Sequence, residues 1–280
     1  MLRIGRIEYA NCTPIFRVLQ EHERSDGYRL VGGVPARLNA MLAAGMIDVC
    51  PSSSIEYALN PERYLILPHL SISSVGAVAS VLLFSRVPLE ELHRQHILLS
   101  SESATSVNLL KILLEKRFGC TCSYSVHNSS FDEALLEAPA LLLIGDAALR
   151  ASLQKPDLFV FDLGQLWHEW TGLPFVFALW LCRRQVAEDR YTEVDTLANH
   201  LVESKERARN ALVEIAETSP EASWMGADKL VAYWHENISY DLDDSHLEGL
   251  RLFYRYCAEL GLLRSVPELH FLPGFPQKDS

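Results

Sequence analysis

The chain has 280 residues, 49% of them hydrophobic, and its 25 basic and 36 acidic side chains leave a formal charge of −11. That length and apolar content allow a substantial core, in one large domain or two smaller lobes. The acidic balance argues against nucleic acid as a partner, since such binding normally needs a basic face. No apolar run approaches the roughly 18 residues of a membrane-spanning helix, and the opening MLRIGRIEYAN shows no secretory signal. A chain with no membrane partner, located in the cytoplasm, is expected.

In chain order, LRIGRIEYAN reads as a strand and NCTPIFRVLQEHE as a helix, with Thr13 before Pro14 suiting a helix start. YRLVGGV is the next strand, and PARLNAMLAAG places Leu38, Met41 and Leu42 at helical spacing before a stop at Gly45. MIDVC reads as a third strand that runs into PSSS, with SSIEYALNPE helical after it. A second series follows AVASVLLFSRVPLEEL. It comprises the strand HILLS, the helix SATSVNLLKILLEKRFG closing at Gly119, the strand TCSYSVH, the helix SSFDEALLEA, and ALLLIGDAALRASL, a strand running into a helix. FVFDLGQLWHEWTG and LPFVFALWLCRR add a strand, a short helix and a long apolar strand. From Val186 onward the pattern is helical. Alternating strands and helices argue for largely parallel α/β sheets. The extended apolar segments at Val81–Phe84 and Phe175–Leu181 suggest crossovers between two lobes. The alternative is a single doubly wound sheet with a helical tail.

In either layout a ligand sits beyond the carboxyl ends of the strands. Asn11, Ser52, Ser53, Ser54, Ser103, Thr105, Ser106, Gly145 and Asp146 all fall there, mostly just before a helix. Helix N-termini expose unpaired N–H groups, and hydroxyls beside them can extend an anion-binding array without lysine or arginine. A single cap uses one hydroxyl, whereas PSSS and SSESATS carry more. Any one cluster taken alone is a helix cap; their density points to a small anion, one with separated carboxylates above all.

No nucleophile elbow, P-loop, HExxH or dinucleotide fingerprint is present. Cys12, Cys50, Cys120, Cys122, Cys182 and Cys257 read as free thiols, and neither Cys12 nor Cys50 has a histidine near it in sequence to make it a nucleophile. His93 and His96 lack the companions of a metal site. Asp241, Asp243 and Asp244 lack the glycine and closing glutamate of a calcium loop and read as a solvated loop or helix start. Neither cofactor nor metal is expected. Trp167, Trp170, Phe175 and Phe177 read mostly as core, with Gly172 and Pro174 a candidate hinge. The oligomeric state is left open.

IEYANCTPIF, GMIDVCPSSSIEYA, SSESATSVNLLKILLEKRFG, LLLIGDAALR and WHEWTGLPFVFALW, in this order, resemble the landmarks of the chorismate dehydratases of menaquinone biosynthesis by the futalosine route. The likeness runs from about Ile4 to Arg184 and is weaker in the helical tail. It implies a periplasmic-binding-protein-like α/β fold of the second type: two α/β lobes joined by crossover strands, with a helical C-terminal segment. Residues 1–84 and 175–280 would form lobe one, and residues 85–174 lobe two. It implies that chorismate, the small-molecule substrate, loses water to give 3-[(1-carboxyvinyl)oxy]benzoate. By the same likeness Asn11 is the catalytic residue, and Ser52–Ser54, Ser80, Ser103, Thr105 and Ser106 bind substrate. Cys50 stands where some relatives carry glycine. With no strand-end histidine or glutamate presenting itself as a base, proton removal by the substrate's own enolpyruvyl carboxylate is the favoured reading; the alternative is a protein base, Glu8, Glu56 or Asp146. A sibling cyclase of the same pathway and a non-catalytic solute-binding protein share the expected fold.

Overall fold

The computed structural model describes residues 1–127, 129–154 and 157–274. Ten strands form two five-stranded sheets. They are β1 (Arg3–Ile7), β2 (Arg29–Gly33), β3 (Val49–Ser53), β4 (Tyr64–Ser74), β5 (Val81–Ser85), β6 (His96–Leu99), β7 (Ser123–Val126), β8 (Ala140–Ile144), β9 (Phe159–Asp162) and β10 (Phe175–Arg183). The first sheet has the order β2-β1-β3-β10-β4 and the second β7-β6-β8-β5-β9. In each sheet three strands run parallel, β2-β1-β3 and β7-β6-β8, and the remaining two pair antiparallel. The sheets are therefore mixed, where alternation in the sequence pointed to largely parallel ones. Two separate sheets exclude the single doubly wound sheet.

The departure comes from β4 and β10, two long apolar strands. Residues 64–74 alternate only over His69–Ser73, after an apolar run broken by Pro68, so the full strand is not legible there. The segment is nevertheless paired with β10 through two register shifts, which accommodate an irregular apolar run. The chain also changes sheets earlier than the apolar run at Val81–Phe84 suggests. That run is β5, bonded to β8 and β9, so it belongs to the second sheet and not to lobe one. The crossing itself is the turn 75–80. There Gly76 and Ala79 take left-handed backbone (φ 92° and 58°), and the Asp162 carboxylate accepts from the N–H groups of Val78 at 3.1 Å and Ala79 at 2.6 Å. The return crossing follows Gly172, whose left-handed φ of 72° ends helix 163–171. Trp167 and Phe175 are buried beside it, as expected, and Trp167 donates to the Pro174 carbonyl.

After β10 the chain is helical, with helices at 184–189, 191–210, 212–218, 222–225, 227–236 and 244–259. The acidic cluster Asp241–Asp244 is structural. Asp241 pairs with the buried Lys205 at 2.9 Å and with Arg209. Asp243 caps helix 244–259 through the His246 N–H, with the His246 ring and Ser245 hydroxyl on the same oxygen. Partial burial pushes the Asp243 carboxyl up, but these hydrogen bonds outweigh it and hold the pKa at about 2, against an ordinary 3.8. A depressed carboxylate contributes stability that is complete above its unfolded value and is lost as pH falls through the folded one. The urea midpoint of the wild type is thus expected to exceed that of Asp243→Ala by an amount equivalent to about 1 kcal/mol at pH 6. The gap should close as pH falls from about 4 toward 2.

Candidate functional site

The carboxyl ends of the parallel strands of both sheets face one another across a narrow cleft of about 50 Å³. That is well below the usual range of small-molecule sites, as in a cleft drawn nearly shut. Each element contributes at its end: Tyr9 and Asn11 after β1, Ser53 closing β3, Ser103 and Ser106 after β6, and Ile144 and Gly145 at the end of β8. The crossing turn adds Val78 and Ser80, and β10 adds Phe177 and Ala178. The lining is apolar walls with a few hydroxyls and one carboxamide. No Asp, Glu, His, Lys or Arg is among these lining residues.

Six of the ten residues singled out in the sequence line the cleft: Asn11, Ser53, Ser80, Ser103, Ser106 and Gly145. The other four do different work. Ser52 alternates with Ser53 along β3, so its side chain points to the opposite face, where its buried Oγ finds no hydrogen-bond partner among the described residues. Strand β3 runs through Pro51, which has no N–H to give and lies beyond the point, Val49, where pairing with β1 stops. Thr105 accepts from the Ile55 N–H at 3.1 Å and contacts the Ser54 hydroxyl at 3.4 Å. It thus caps the helix of the other lobe, and the pair Ser54–Thr105 joins the lobes. Asp146 accepts from the Ala10 N–H at 2.9 Å. The crowded hydroxyls at the mouth of β3 therefore divide between lining the cleft, Ser53, and fastening its two sides, Ser54.

Around Asn11 the backbone is held by hydrogen bonds and the side-chain oxygen is not. The Trp234 indole donates to the Ala10 carbonyl and the Tyr240 hydroxyl to the Asn11 carbonyl, both at 2.7 Å. The Asn11 Oδ1 is buried and finds no hydrogen-bond partner among the described residues. A buried amide left unsatisfied by the protein is costly and suits a polar group held for a ligand. The Tyr233 hydroxyl donates to Ser80 Oγ at 2.9 Å. Ser103 caps helix 104–112 through the Ser106 N–H at 3.3 Å, and its hydroxyl lies 3.1 Å from that of Ser106. Two hydroxyls at the positive end of a nine-residue helix face the cleft.

The sequence reading missed Tyr9. Its ring lines the cleft and its hydroxyl donates to Glu102 Oε2 at 2.7 Å, across from one lobe to the other. Burial and the adjoining Glu102 push the phenol far above its ordinary value, so it stays neutral. Phe177, read as core, also lines the cleft. The aromatic donors of the tail, Tyr233, Trp234 and Tyr240, were missed because nothing local marks an aromatic as a hydrogen-bond donor to a strand end more than 150 residues away.

The thiols are inert. Complete burial pushes Cys12 well above its ordinary value, and burial raises Cys50 to about 12, so neither is a thiolate nucleophile at neutral pH. Of the candidate bases, Glu56 is held by Asn60 and Tyr64 away from the cleft. Glu8 is exposed beside Arg6. Burial raises Asp146, with the Ala10 hydrogen bond opposing. Among the described residues no group of three metal-ligating side chains occurs, and no helix is long and apolar enough to cross a membrane.

Two α/β lobes, a pair of crossings and a cleft at the strand ends make this a periplasmic-binding-protein-like protein. The periplasmic aliphatic sulphonate binding protein of Escherichia coli superposes with a TM-score of 0.67 at 14% identity, over 100% of this chain and 96% of the other. A protein of Archaeoglobus fulgidus gives 0.75 at 18% identity, over 94% and 98% of the two chains. The sequence narrows the class. A family model described as menaquinone biosynthesis matches residues 2–259, and the chain belongs to that family. It is 33% identical to the chorismate dehydratase of Thermus thermophilus over 266 residues, 89% of this chain and 93% of that one. It is 30% identical to the chorismate dehydratase of Campylobacter jejuni over 187 residues, 65% and 68% of the two.

Proposed function

We propose that this chain is a chorismate dehydratase, a hydro-lyase that removes water from chorismate to give 3-[(1-carboxyvinyl)oxy]benzoate in menaquinone biosynthesis by the futalosine route. The observation that carries the reading is the cleft itself, where hydroxyls from both lobes and the side chain of Asn11, its amide oxygen without a partner among the described residues, line one hollow in a chain of this family.

The chemistry suits such a lining. The hydroxide leaves C4, the C3 proton is removed, the two combine as water, and the ring becomes aromatic. The driving force resides in the substrate, so the protein's task is orientation and charge stabilisation. In this reading Ser103 and Ser106, at the start of their helix, hold the ring carboxylate. Ser53 and Ser80 hold the enolpyruvyl end. Asn11 meets the C4 oxygen as it gathers charge. The enolpyruvyl carboxylate takes the C3 proton, because no lining side chain is a carboxylate or an imidazole. Ile7, Ile72, Ile144 and Phe177 keep water from the ring.

Purified protein incubated with chorismate should convert it to the substituted benzoate, followed by chromatography. Unchanged chorismate would identify a binding protein instead. Turnover only of a purine-bearing futalosine derivative would identify the sibling cyclase.

A further inference from the structure

We propose that Asp146 is a positioning residue that makes closure of the two lobes and alignment of Asn11 a single event; this rests on the dehydratase reading above. Residues 9–11 form one short turn after β1, closed locally by the Cys12 N–H on the Tyr9 carbonyl at 2.9 Å, and its remaining holds come from elsewhere in the fold. From lobe two, Glu102 accepts from the Tyr9 hydroxyl at 2.7 Å, and Asp146 accepts from the Ala10 N–H at 2.9 Å. From the helical tail, Trp234 and Tyr240 hold the carbonyls of Ala10 and Asn11. The tail contacts arise within the body that carries β1. The lobe-two contacts exist only while the lobes are together.

The peptide unit between Tyr9 and Ala10 is therefore gripped from lobe two, and the unit between Ala10 and Asn11 from the tail. The turn's own bonds, from the Cys12 N–H to the Tyr9 carbonyl and from the Thr13 N–H to the Ala10 carbonyl, set its shape, and the two outside grips set its orientation between the lobes. What this double grip orients is the Asn11 side chain, whose buried amide oxygen finds no partner among the described residues. Asp146 occupies the second position of helix 145–153, directly after Gly145, so it advances on the turn as lobe two closes. Arg150, one turn further along the same helix, lies 4.0 Å from the Trp224 ring. The helix thus meets the tail and the β1 turn together. Asp146 itself does not line the cleft, so its part is played through Ala10 and not on the substrate.

Two measurements on the full chain test this. Hydrogen–deuterium exchange over residues 8–12 reads the Ala10 amide without reference to any reaction. Asp146→Ala should speed exchange there while the β3 and β10 amides stay protected, and Asp146→Asn, which keeps an acceptor oxygen, should restore protection. With chorismate, Asp146→Ala should lower kcat about tenfold, the equivalent of one lost hydrogen bond, with KM changed far less. Asp146→Asn should recover most of that loss. Unchanged exchange over residues 8–12 in Asp146→Ala, a loss confined to KM, or equal losses in both variants would overturn the proposal. A wild type that leaves chorismate intact would sink the dehydratase reading, while the exchange experiment would still decide whether Asp146 holds the turn.

Discussion

Asn11→Ala is expected to lower kcat with chorismate by about 1,000-fold, the cost of removing one preorganised polar group from a developing negative charge. The same variant should melt no lower than the wild type. The reason lies in the ground state. The Asn11 amide oxygen is buried without a partner, a situation that disfavours the empty protein. Truncation removes that unsatisfied atom, while the backbone of the turn keeps its bonds to Asp146, Trp234 and Tyr240. Stability–activity trade-offs of this sign mark groups held for a ligand. The check is a paired measurement of turnover and thermal melting. Normal turnover would remove Asn11 from the chemistry, and a large fall in melting temperature would make it a structural residue.

How far the sequence foretells this site depends on how local each contact is. Asn11, Ser53, Ser103 and Ser106 were legible because a strand that gives way to a helix fixes where its last side chains lie, and hydroxyl density beyond capping need marks them. The distinction among Ser52, Ser53 and Ser54 was not legible. It turns on β3 continuing through Pro51, which places Ser53 on the cleft side and leaves only Ser54 to start the helix. Strand β4 escaped notice because, although it ends its sheet, it is buried along nearly its whole length and so reads as an irregular run, and its register shifts against Val176–Leu181 of β10 depend on that partner. Asp146 was read as a ligand-binding cap, and its true partner, the Ala10 amide, lies 136 residues away. Contacts of that range are written in the topology, and no window of the sequence contains them. The return crossing at Gly172–Pro174 was legible for the opposite reason, since a glycine ending a helix before a proline is a local signal.

Gly145→Ala is expected to lower kcat/KM by about 100-fold, with only a modest loss of stability. Gly145 sits at φ 58°, where alanine costs about 1–2 kcal/mol, and that strain is present whatever the position of the lobes. The larger effect arises across the cleft. A Cβ on residue 145 would stand 2.8 Å from the Tyr9 ring, closer than two carbons tolerate. The ring cannot simply swing aside, because its hydroxyl is tied to Glu102 and the next residue, Ala10, is tied to Asp146. The clash exists only when lobe two approaches the β1 turn, so it is relieved by opening. The methyl group therefore acts on the balance between open and closed forms, not on folding. If closure excludes water and completes the site, both kcat and KM should worsen. Joining the substitution to Tyr9→Ala, which empties the space the methyl needs, should remove the steric part and leave only the backbone cost. A double variant no better than the sum of its parts would show that Tyr9 and Gly145 do not meet during turnover.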